Sequence, residues 1–391
     1  MYYEPASSGA GSFLWANSNN TCILYELLFI ILYIRIYKSR NSSYSFANEK
    51  DYPLGGMIMK KLQRPMLVAL SLLLCVALPL FSAGQAEQTG PQPYKIGISK
   101  LVTHAALDAA EQGMMDHLAT TDLQVTYDHQ NANGDISTAS SIAQKFKSDK
   151  VDVAVGIATP AAQALAQVFN ENSGTSVVFS AVTDSSEAGL VAANIAGVSD
   201  KNPVEEQIKL LIDITGAKTI GNVYASGEAN GVLLMEMAKA ACEKYGVGFV
   251  SAAISNSSEV KMATQSIIDR VDALYIATDN TVISAIASVD DVAKKAGKAL
   301  FSSDASGIDG LNVLVSLGFD YYNIGVETGK IVEQILRGTE AGDIGTVYIT
   351  DPTKFQLWFN LDAADELGYT ISQDLQDAAA VLIKDGVKIT Q

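Results

Sequence analysis

Beyond residue 94 the chain alternates short, continuously apolar runs with longer stretches whose apolar residues recur at helical spacing. The runs KIGIS (95–99), LQVTYDHQ (123–130), VDVAVGIA (151–158) and SVVFSAV (176–182) predict strands, and their largely unbroken apolar character suits a parallel sheet covered on both faces. Between them, 105–119, 137–148 and 160–169 predict helices, the last opened by Pro160, which is tolerated in a first turn because no N–H is needed there. Strand followed by helix, repeated, builds right-handed βαβ units and a doubly wound α/β sheet.

The pattern then restarts. TIGNVYA (219–225), VGFVSAAI (247–254), VDALYIAT (271–278) and ALFSSD (299–304) predict strands, with helices near 229–245, 258–269 and 281–296. Two words recur in order: KVDVAVGIAT ending at Thr159 against RVDALYIAT ending at Thr278, and FSAVTD ending at Asp184 against FSSD ending at Asp304, at offsets of 119 and 120 residues. Matching words at one offset predict two lobes of similar topology. After a strand at 313–320 and an amphipathic helix ending at Gly338, TVYI, FQLWFN and a short helix at 361–367 supply material for crossing between lobes. The expected division is lobe 1 from 95–200 plus 318–345 and lobe 2 from 201–317 plus 346–391.

The segment ahead of the lobes has a different character. Lys60, Lys61 and Arg64 precede an apolar run, Met66 to Leu80, that is broken by Pro79 and followed by Ser82, Ala83, Gly84 and Ala86. That order of charge, apolar core and small residues is a secretory signal peptide, expected at 59–86 with cleavage after Ala86, or after Ala83 or Gly84. The run is short for a bilayer-spanning helix, which needs about 20 residues. Cys75 sits in mid-run after three leucines, so a lipoprotein anchor is the less expected outcome. Residues 1–58 are expected to be an upstream extension that is not translated, with the start at Met59 or Met57, and 87–94 a polar linker. The rival for the extension is an N-terminal anchor, although its apolar patch CILYELLFIILYI is short and interrupted by Glu26.

Charge narrows the partners. Residues 1–86 hold 7 of the 27 basic and 4 of the 43 acidic residues, so the chain beyond them carries 20 against 39, a formal charge of -19. A surface that acidic repels phosphate backbones, and nucleic acid is not expected as a partner. Of the three cysteines only Cys242 lies beyond the leader, which excludes an internal disulfide in the exported chain and a cysteine metal site. His104, His117 and His129 lack metal-ligand spacing. Neither metal nor cofactor is expected.

Ligands of open α/β sheets lie beyond the carboxyl ends of the strands. The loops there are rich in Ser, Thr, Asp and Asn: SKLVTH, ATPAAQ (158–163), SAVTD (180–184), ASGEAN (225–230), TDN (278–280), SSD (302–304) and GFDYY (318–322). Each such residue alone is most often a helix cap. Together they match a zwitterion: hydroxyls and free N–H groups at Thr159 and Ala161 suit a carboxylate, Asp184, Asp279, Asp304 and Asp320 offer acceptors for an ammonium, and Tyr224, Tyr275, Tyr321 and Tyr322 are candidates to line an apolar slot. Enzyme signatures are missing: there is no G-x-G-x-x-G after the first strand, no G-x-x-x-x-G-K-[ST] and no G-x-S-x-G. A two-carboxylate hydrolase has no positive support, and no enzymatic activity is expected.

From about Tyr94 to Tyr369 the chain resembles the substrate-binding proteins of ABC importers, in particular the group associated with tryptophan, tyrosine and other aromatic amino acids. The words that carry the resemblance are HAALDAAEQGMMDHL, IAQKFKSDKVDVAVGIATPAAQAL, VVFSAVTDSSEAGLV, NIAGVSDKNPVEEQI, KTIGNVYASGEAN, VDALYIATDNTV, LFSSD and GFDYYNIGVETGKI. The resemblance implies a type I periplasmic-binding-protein fold, with two lobes joined by a three-stranded hinge and closing over a ligand in the cleft. Its ligand-facing positions would be Thr159 with Ala161 at the helix start, Ser180, Thr183 and Asp184, Glu228 and Asn230, Asp279 and Asn280, Asp304, and Asp320. Two positions depart from the pattern: Ala105 stands where relatives carry a proline after the histidine, and Ala225 where they carry asparagine followed by proline.

The resemblance further implies a monomer outside the cytoplasmic membrane, periplasmic or otherwise extracytoplasmic, with two partners: a small amino acid, expected to be aromatic, and an ABC permease in the membrane. Closure stabilised by ligand contacts from both lobes would be the signal read by the permease. Asp304 or Asp279 is expected to take the ammonium, with Thr159, Ser180 and Thr183 holding the carboxylate. A sugar- or nucleoside-binding protein of the same fold is the alternative; it would need planar polar residues beside aromatics in the cleft, and the only tryptophans are Trp15 and Trp358. A sugar-type transcriptional repressor shares the fold but carries a basic helix-turn-helix, against which the leader and the acidity both stand.

Overall fold

A computed structural model of the chain describes residues 92–349 and 354–391. The expectations for the extension, the leader and most of the linker therefore lie outside the described residues. Tyr94, the last residue of the expected linker, already belongs to the first strand.

Lobe 1 opens with β1 (Tyr94–Lys100), α1 (Ala105–Ala119), β2 (Val125–Asn131), α2 (Ile136–Asp149), β3 (Val153–Ile157), α3 (Thr159–Val168), β4 (Ser176–Val182) and β5 (Ile195–Ser199). Its sheet runs β2-β1-β3-β4-β5 with β11 (Thr346–Tyr348) added at the far edge, every pairing parallel. β3 is buried at all five positions, which is why its sequence is an unbroken apolar run instead of an alternating one.

Lobe 2 follows the same plan with α4 (Val204–Thr215), β6 (Thr219–Ala225), α5 (Ala229–Lys244), β7 (Gly248–Ile254), α6 (Val260–Ile267), β8 (Ala273–Ile276), α7 (Asn280–Ile283), α8 (Ile286–Ala296), β9 (Ala299–Ser302) and β10 (Val315–Phe319). The sheet order β7-β6-β8-β9-β10 repeats that of lobe 1. The recurring sequence words therefore mark equivalent strands, β3 with β8 and β4 with β9. In each lobe the order reverses beside the first strand, between β1 and β3 and between β6 and β8, and these are the switch points where crossover helices diverge to opposite faces and leave a crevice.

From β10 the chain enters α9 (Tyr321–Leu336), α10 (Ala341–Ile344) and β11, then returns as β12 (Phe355–Asn360), α11 (Leu361–Leu367), α12 (Gln373–Ala378) and the hairpin β13 (Val381–Lys384) and β14 (Val387–Thr390). β12 runs antiparallel to β10, pairing Phe319 with Phe355, whose ring centroids lie 4.3 Å apart. Three crossovers thus join the lobes, after β5, after β10 and after β11. The expected return to lobe 2 at residue 346 is corrected by β11, which pairs Thr346–Tyr348 with Gly197–Ser199 in the lobe 1 sheet. Its three-residue length carries too little pattern to assign from sequence.

α9 packs on α1 with almost no side chain between them. A Cβ on Gly325 would collide with the Ala110 carbonyl, and one on Gly113 with the Tyr322 carbonyl, while Gly329 faces His117 and Met114. Glycines at 325 and 329 lie four apart, on one helix face, and let the backbones approach. Other differences from expectation are local. The helix expected at 281–296 breaks at Ser284–Ala285 into α7 and α8, and that at 258–269 has single 3-10 turns at both ends. β5, α4 and the final hairpin go beyond the expected elements, although Val204, Ile208 and Leu211 of α4 recur at helical spacing. In β5, Gly197 replaces an apolar residue because a Cβ there would strike the carbonyl and ring of Phe179.

Candidate functional site

The two switch points face one another. From lobe 1 come the loops after β1 and β3, whose ends are held side by side by the Leu101 N–H donating to the Ile157 carbonyl at 3.3 Å. From lobe 2 come the loops after β6 and β8, carrying Glu228, Asn230, Asp279 and Asn280. Ile136 reaches within 3.9 Å of the Cβ position of Gly227, and Ala105 within 3.2 Å of that of Gly307. Thr159, Asp184, Glu187 and Ala188 of lobe 1 share a narrow crevice with Ala229, Asn230 and Leu233 of lobe 2. The lobes are closed on each other.

The start of α3 is built to present backbone donors. Gly156 in β3 lets the helix sit directly on the strand: a Cβ there would lie 2.5 Å from Ala162 Cα and 2.7 Å from Ala162 N. Ala158 turns the chain with φ 79, a left-handed value that a side chain adopts only under strain of about 1–3 kcal/mol. The first intrahelical bond is made by Ala162 to the Ala158 carbonyl at 3.1 Å, and no side chain caps the helix. The N–H groups of Thr159 and Ala161, both residues buried, are left facing forward with the positive end of the helix dipole behind them.

Lobe 2 supplies a dense acidic group. Glu228 accepts from Asn280 Nδ2 at 2.7 Å and from the N–H and hydroxyl of Thr281 at 2.9 and 2.6 Å. Asp279 accepts from the Ala225 N–H at 2.6 Å through one oxygen and from the Val282 N–H at 3.0 Å through the other. Burial, and after it repulsion from Glu228, push its carboxyl up to about 7. Gly231 has no side chain to obstruct Asp279 Oδ2. Asn230 donates to the Thr278 carbonyl at 3.2 Å, while its Oδ1 is sealed from solvent without a partner.

Asp304, just past β9, is differently placed. It is 1% exposed, its Oδ1 accepts from the Ser306 N–H at 2.8 Å, and among the described residues Ser306 is its one donor residue. Burial raises its carboxyl to about 7, and the nearby Asp200 adds repulsion. Asp200 itself is raised to about 6 by burial, an effect partly offset by bonds from the Tyr321 hydroxyl at 2.8 Å and the Thr183 hydroxyl at 3.3 Å. Two buried carboxylates without a cation form a site that gains from one.

The expected residues thus divide. Thr159 and Ala161, Glu228 and Asn230, Asp279 and Asn280, and Thr183 and Asp304 lie at the carboxyl ends of the strands, on the loops that the closed lobes bring together. Ser180 does not join them: its hydroxyl lies 2.8 Å from that of Thr328 on α9, because the pleat of β4 turns position 180 toward that helix. Asp320 is the N-cap of α9, accepting from the Tyr322 N–H at 3.0 Å and from Asn323. Asp184 lines the interlobe crevice with Thr159, but its carboxylate is occupied by capping the turn that follows it and by Lys201 at 2.8 Å, and that ammonium holds it below the usual range. Sequence reasoning missed Asp200, Asn202 and His104. Asn202, on the first crossover, bonds Thr278 of lobe 2 at 3.3 Å, and both nitrogens of His104 are sealed without partners among the described residues. SKLVTH after the first strand and the word HAALDAAEQGMMDHL were the signals for His104, and the word NIAGVSDKNPVEEQI contained Asp200 and Asn202 without showing that they face the cleft.

Comparison with known proteins agrees with this architecture. Residues 95–383 match the family described as ABC transporter substrate binding protein. A "Tyrosine-binding protein" of Clostridioides difficile is 34% identical over 260 residues, 64% of this chain and 74% of that protein. A crystal structure of an ABC domain from Streptococcus pneumonia in complex with L-Trp is 31% identical, covering 75% of this chain and 100% of that one, with TM-score 0.70. A ligand-free, open structure of a substrate binding protein with adhesive properties from Clostridium difficile is also 31% identical, covering 72% and 97%, with TM-score 0.54. At equal identity and similar coverage, the lower score against the open form fits the closed arrangement of the lobes. The match spans both lobes and all three crossovers, in a family of binding proteins and not of enzymes: this chain belongs to the ABC transporter substrate-binding proteins.

Proposed function

We propose that this protein captures a small amino acid with an aromatic side chain between its closed lobes and presents it to an ABC permease. The observation that carries the reading is Asp304, a buried carboxylate that among the described residues has Ser306 as its one donor residue and no cation to balance it. An ammonium supplies that cation. The uncapped start of α3, with the N–H groups of Thr159 and Ala161, suits the ligand carboxylate. Thr183, buried just past β4 on lobe 1, offers a further hydroxyl that is held in the protein only by the long 3.3 Å bond to Asp200. Asp279 is the less suited ammonium partner, because both its oxygens already accept backbone N–H groups. The tyrosine-binding relative and the L-Trp-bound neighbour support the aromatic class.

The mechanism is a shift of population without covalent chemistry. Contacts made to one ligand by both lobes exist only in the closed form, so binding lowers the free energy of closure by the difference in affinity between closed and open states. We further propose that the chain is exported by the leader at 59–86, works as a monomer outside the cytoplasmic membrane, and delivers its ligand by docking the closed lobes on the permease.

A thermal-shift panel of the twenty amino acids and common nucleosides tests the reading, because a ligand of the folded state must raise its stability. Tryptophan, tyrosine or phenylalanine should give the largest shift, and Asp304→Asn should weaken calorimetric binding by ~2 kcal/mol or more. A shift from nucleosides or sugars alone, or wild-type affinity in Asp304→Asn, would sink it.

A further inference from the structure

His104 is only half-buried as a residue, yet both its ring nitrogens are shielded from solvent, and among the described residues neither has a hydrogen-bonding partner of good geometry. An ordinary core histidine satisfies at least one. Leaving a buried donor and acceptor unpaired costs on the order of 1–3 kcal/mol each, so such a group in a native fold calls for a missing partner. Its place in the fold says where that partner sits. His104 is the residue before α1, at the lobe 1 switch point, with extended backbone at φ -157, and it faces Asn280 of the lobe 2 switch point. Its neighbour Ala105 touches the other lobe at Gly307. The Asn280 side chain comes near enough to favour the charged imidazole, but its bond of good geometry goes to Glu228 at 2.7 Å.

The chemistry of the missing partner follows from charge. Burial lowers the imidazole to about 4, so the ring is neutral and offers one donor and one acceptor. A neutral ring in a dry site suits an uncharged hydrogen-bonding group. The ligand's two charged ends already have counterparts elsewhere, the ammonium at Asp304 and the carboxylate at the start of α3. What remains for His104 is the side chain.

We propose that His104 is the specificity-determining residue that hydrogen-bonds the polar group on the ligand's aromatic ring, the phenolic hydroxyl of tyrosine or the indole N–H of tryptophan, and so ranks both above phenylalanine. This rests on the amino-acid reading of the cleft. A site built to bond a ring OH or NH rejects the analogue that lacks it, because its own polar atoms are then left unpaired.

Isothermal calorimetry of the protein with tyrosine, tryptophan and phenylalanine, in wild type, His104→Phe and His104→Gln, tests the assignment. Wild type should bind tyrosine or tryptophan at least about tenfold more tightly than phenylalanine. His104→Phe should erase that ratio while leaving phenylalanine affinity within about threefold, and His104→Gln, which keeps a donor and an acceptor, should restore part of it. Equal losses for all three ligands would overturn the proposal, since His104 would then serve the part they share or only the fold. An unchanged ratio would overturn it as well. Wild type that binds none of the three overturns the amino-acid reading first and this role with it. Should His104→Phe fail to fold, His104→Leu makes the same comparison.

Discussion

The Tyr321 hydroxyl donates to the Asp200 carboxylate at 2.8 Å, and the two residues stand on different crossovers, Asp200 just after β5 and Tyr321 just after β10. Both are buried, so the bond pins two hinge strands to each other in a medium of low polarity. Asn202 continues the network, donating to the Asp200 carbonyl at 3.1 Å and to Thr278 of lobe 2 at 3.3 Å, and its own carbonyl accepts from Gln207 at 3.1 Å. Tyr321→Phe leaves Asp200 with only the long bond from Thr183. We expect a loss of about 1–3 kcal/mol, read as a lower melting temperature. Because the hydroxyl favours the ionised carboxylate, which titrates near pH 6, the loss should be larger at pH 8 than at pH 5. An equal loss at both would show that the hydroxyl does not stabilise the charge.

Asp304 predicts a proton linked to binding. Its folded pKa of about 7 lies above its unfolded value, so between about pH 4 and 7 the folded protein holds a proton that the unfolded chain releases. Stability therefore falls as pH rises through that window, and above about 7 the full cost is present. Asp304→Asn should be more stable than wild type in the ligand-free state at pH 8, with the advantage vanishing by pH 4. A ligand ammonium must displace the proton, so amino-acid binding near pH 6 should release a fraction of a proton in wild type and less in Asp304→Asn. Calorimetry in two buffers of different ionisation enthalpy reads it. Identical apparent enthalpies in wild type would refute the ion pair.

Much of this was legible because it rests on period and on word order. The buried parallel strands are written as unbroken apolar runs, and the repeat at offsets of 119 and 120 residues announced two lobes of one topology. What escaped detection depended on contacts distant in sequence. β5 carries Gly197 to accommodate Phe179, and β11 is defined only by its neighbour β5. Within the site, the sequence located the loops and not the directions of side chains. Asp320 and Asp184 read the same as Asp304 in sequence, yet the first two cap helix or turn starts and the third is buried with Ser306 as its one donor residue among the described residues. Ser180 turned to α9 for the same reason: one residue along a strand changes the face.

Asp184→Asn is expected to separate capping from binding. The carboxylate bonds the Ser186 and Glu187 N–H groups at 3.1 and 3.2 Å and pairs with a half-exposed Lys201. An asparagine still accepts from the backbone and loses only the ion pair, which at this exposure is worth about 0–1 kcal/mol. Ligand affinity should stay within about threefold and stability within about 1 kcal/mol of wild type. A tenfold or greater loss of affinity, measured by calorimetry, would restore Asp184 to the ligand group.

Gly156→Ala tests whether the placement of α3 sets the anion-binding end of the site. The added methyl would lie 2.5 Å from Ala162 Cα, and since that neighbour is backbone, the whole first turn must shift to make room. The forced displacement should cost about 1–3 kcal/mol of stability. It should also move the Thr159 and Ala161 N–H groups away from the ligand carboxylate, and misplaced donors lose much of their interaction because hydrogen bonds weaken steeply with distance and angle. We therefore expect affinity for the free amino acid to fall by about tenfold or more. An amino-acid amide, which lacks the carboxylate charge, should lose less. The comparison is made by calorimetry at a temperature where thermal scans show the variant fully folded. Equal losses for the acid and its amide would mean that α3 shapes the cleft without binding the anion.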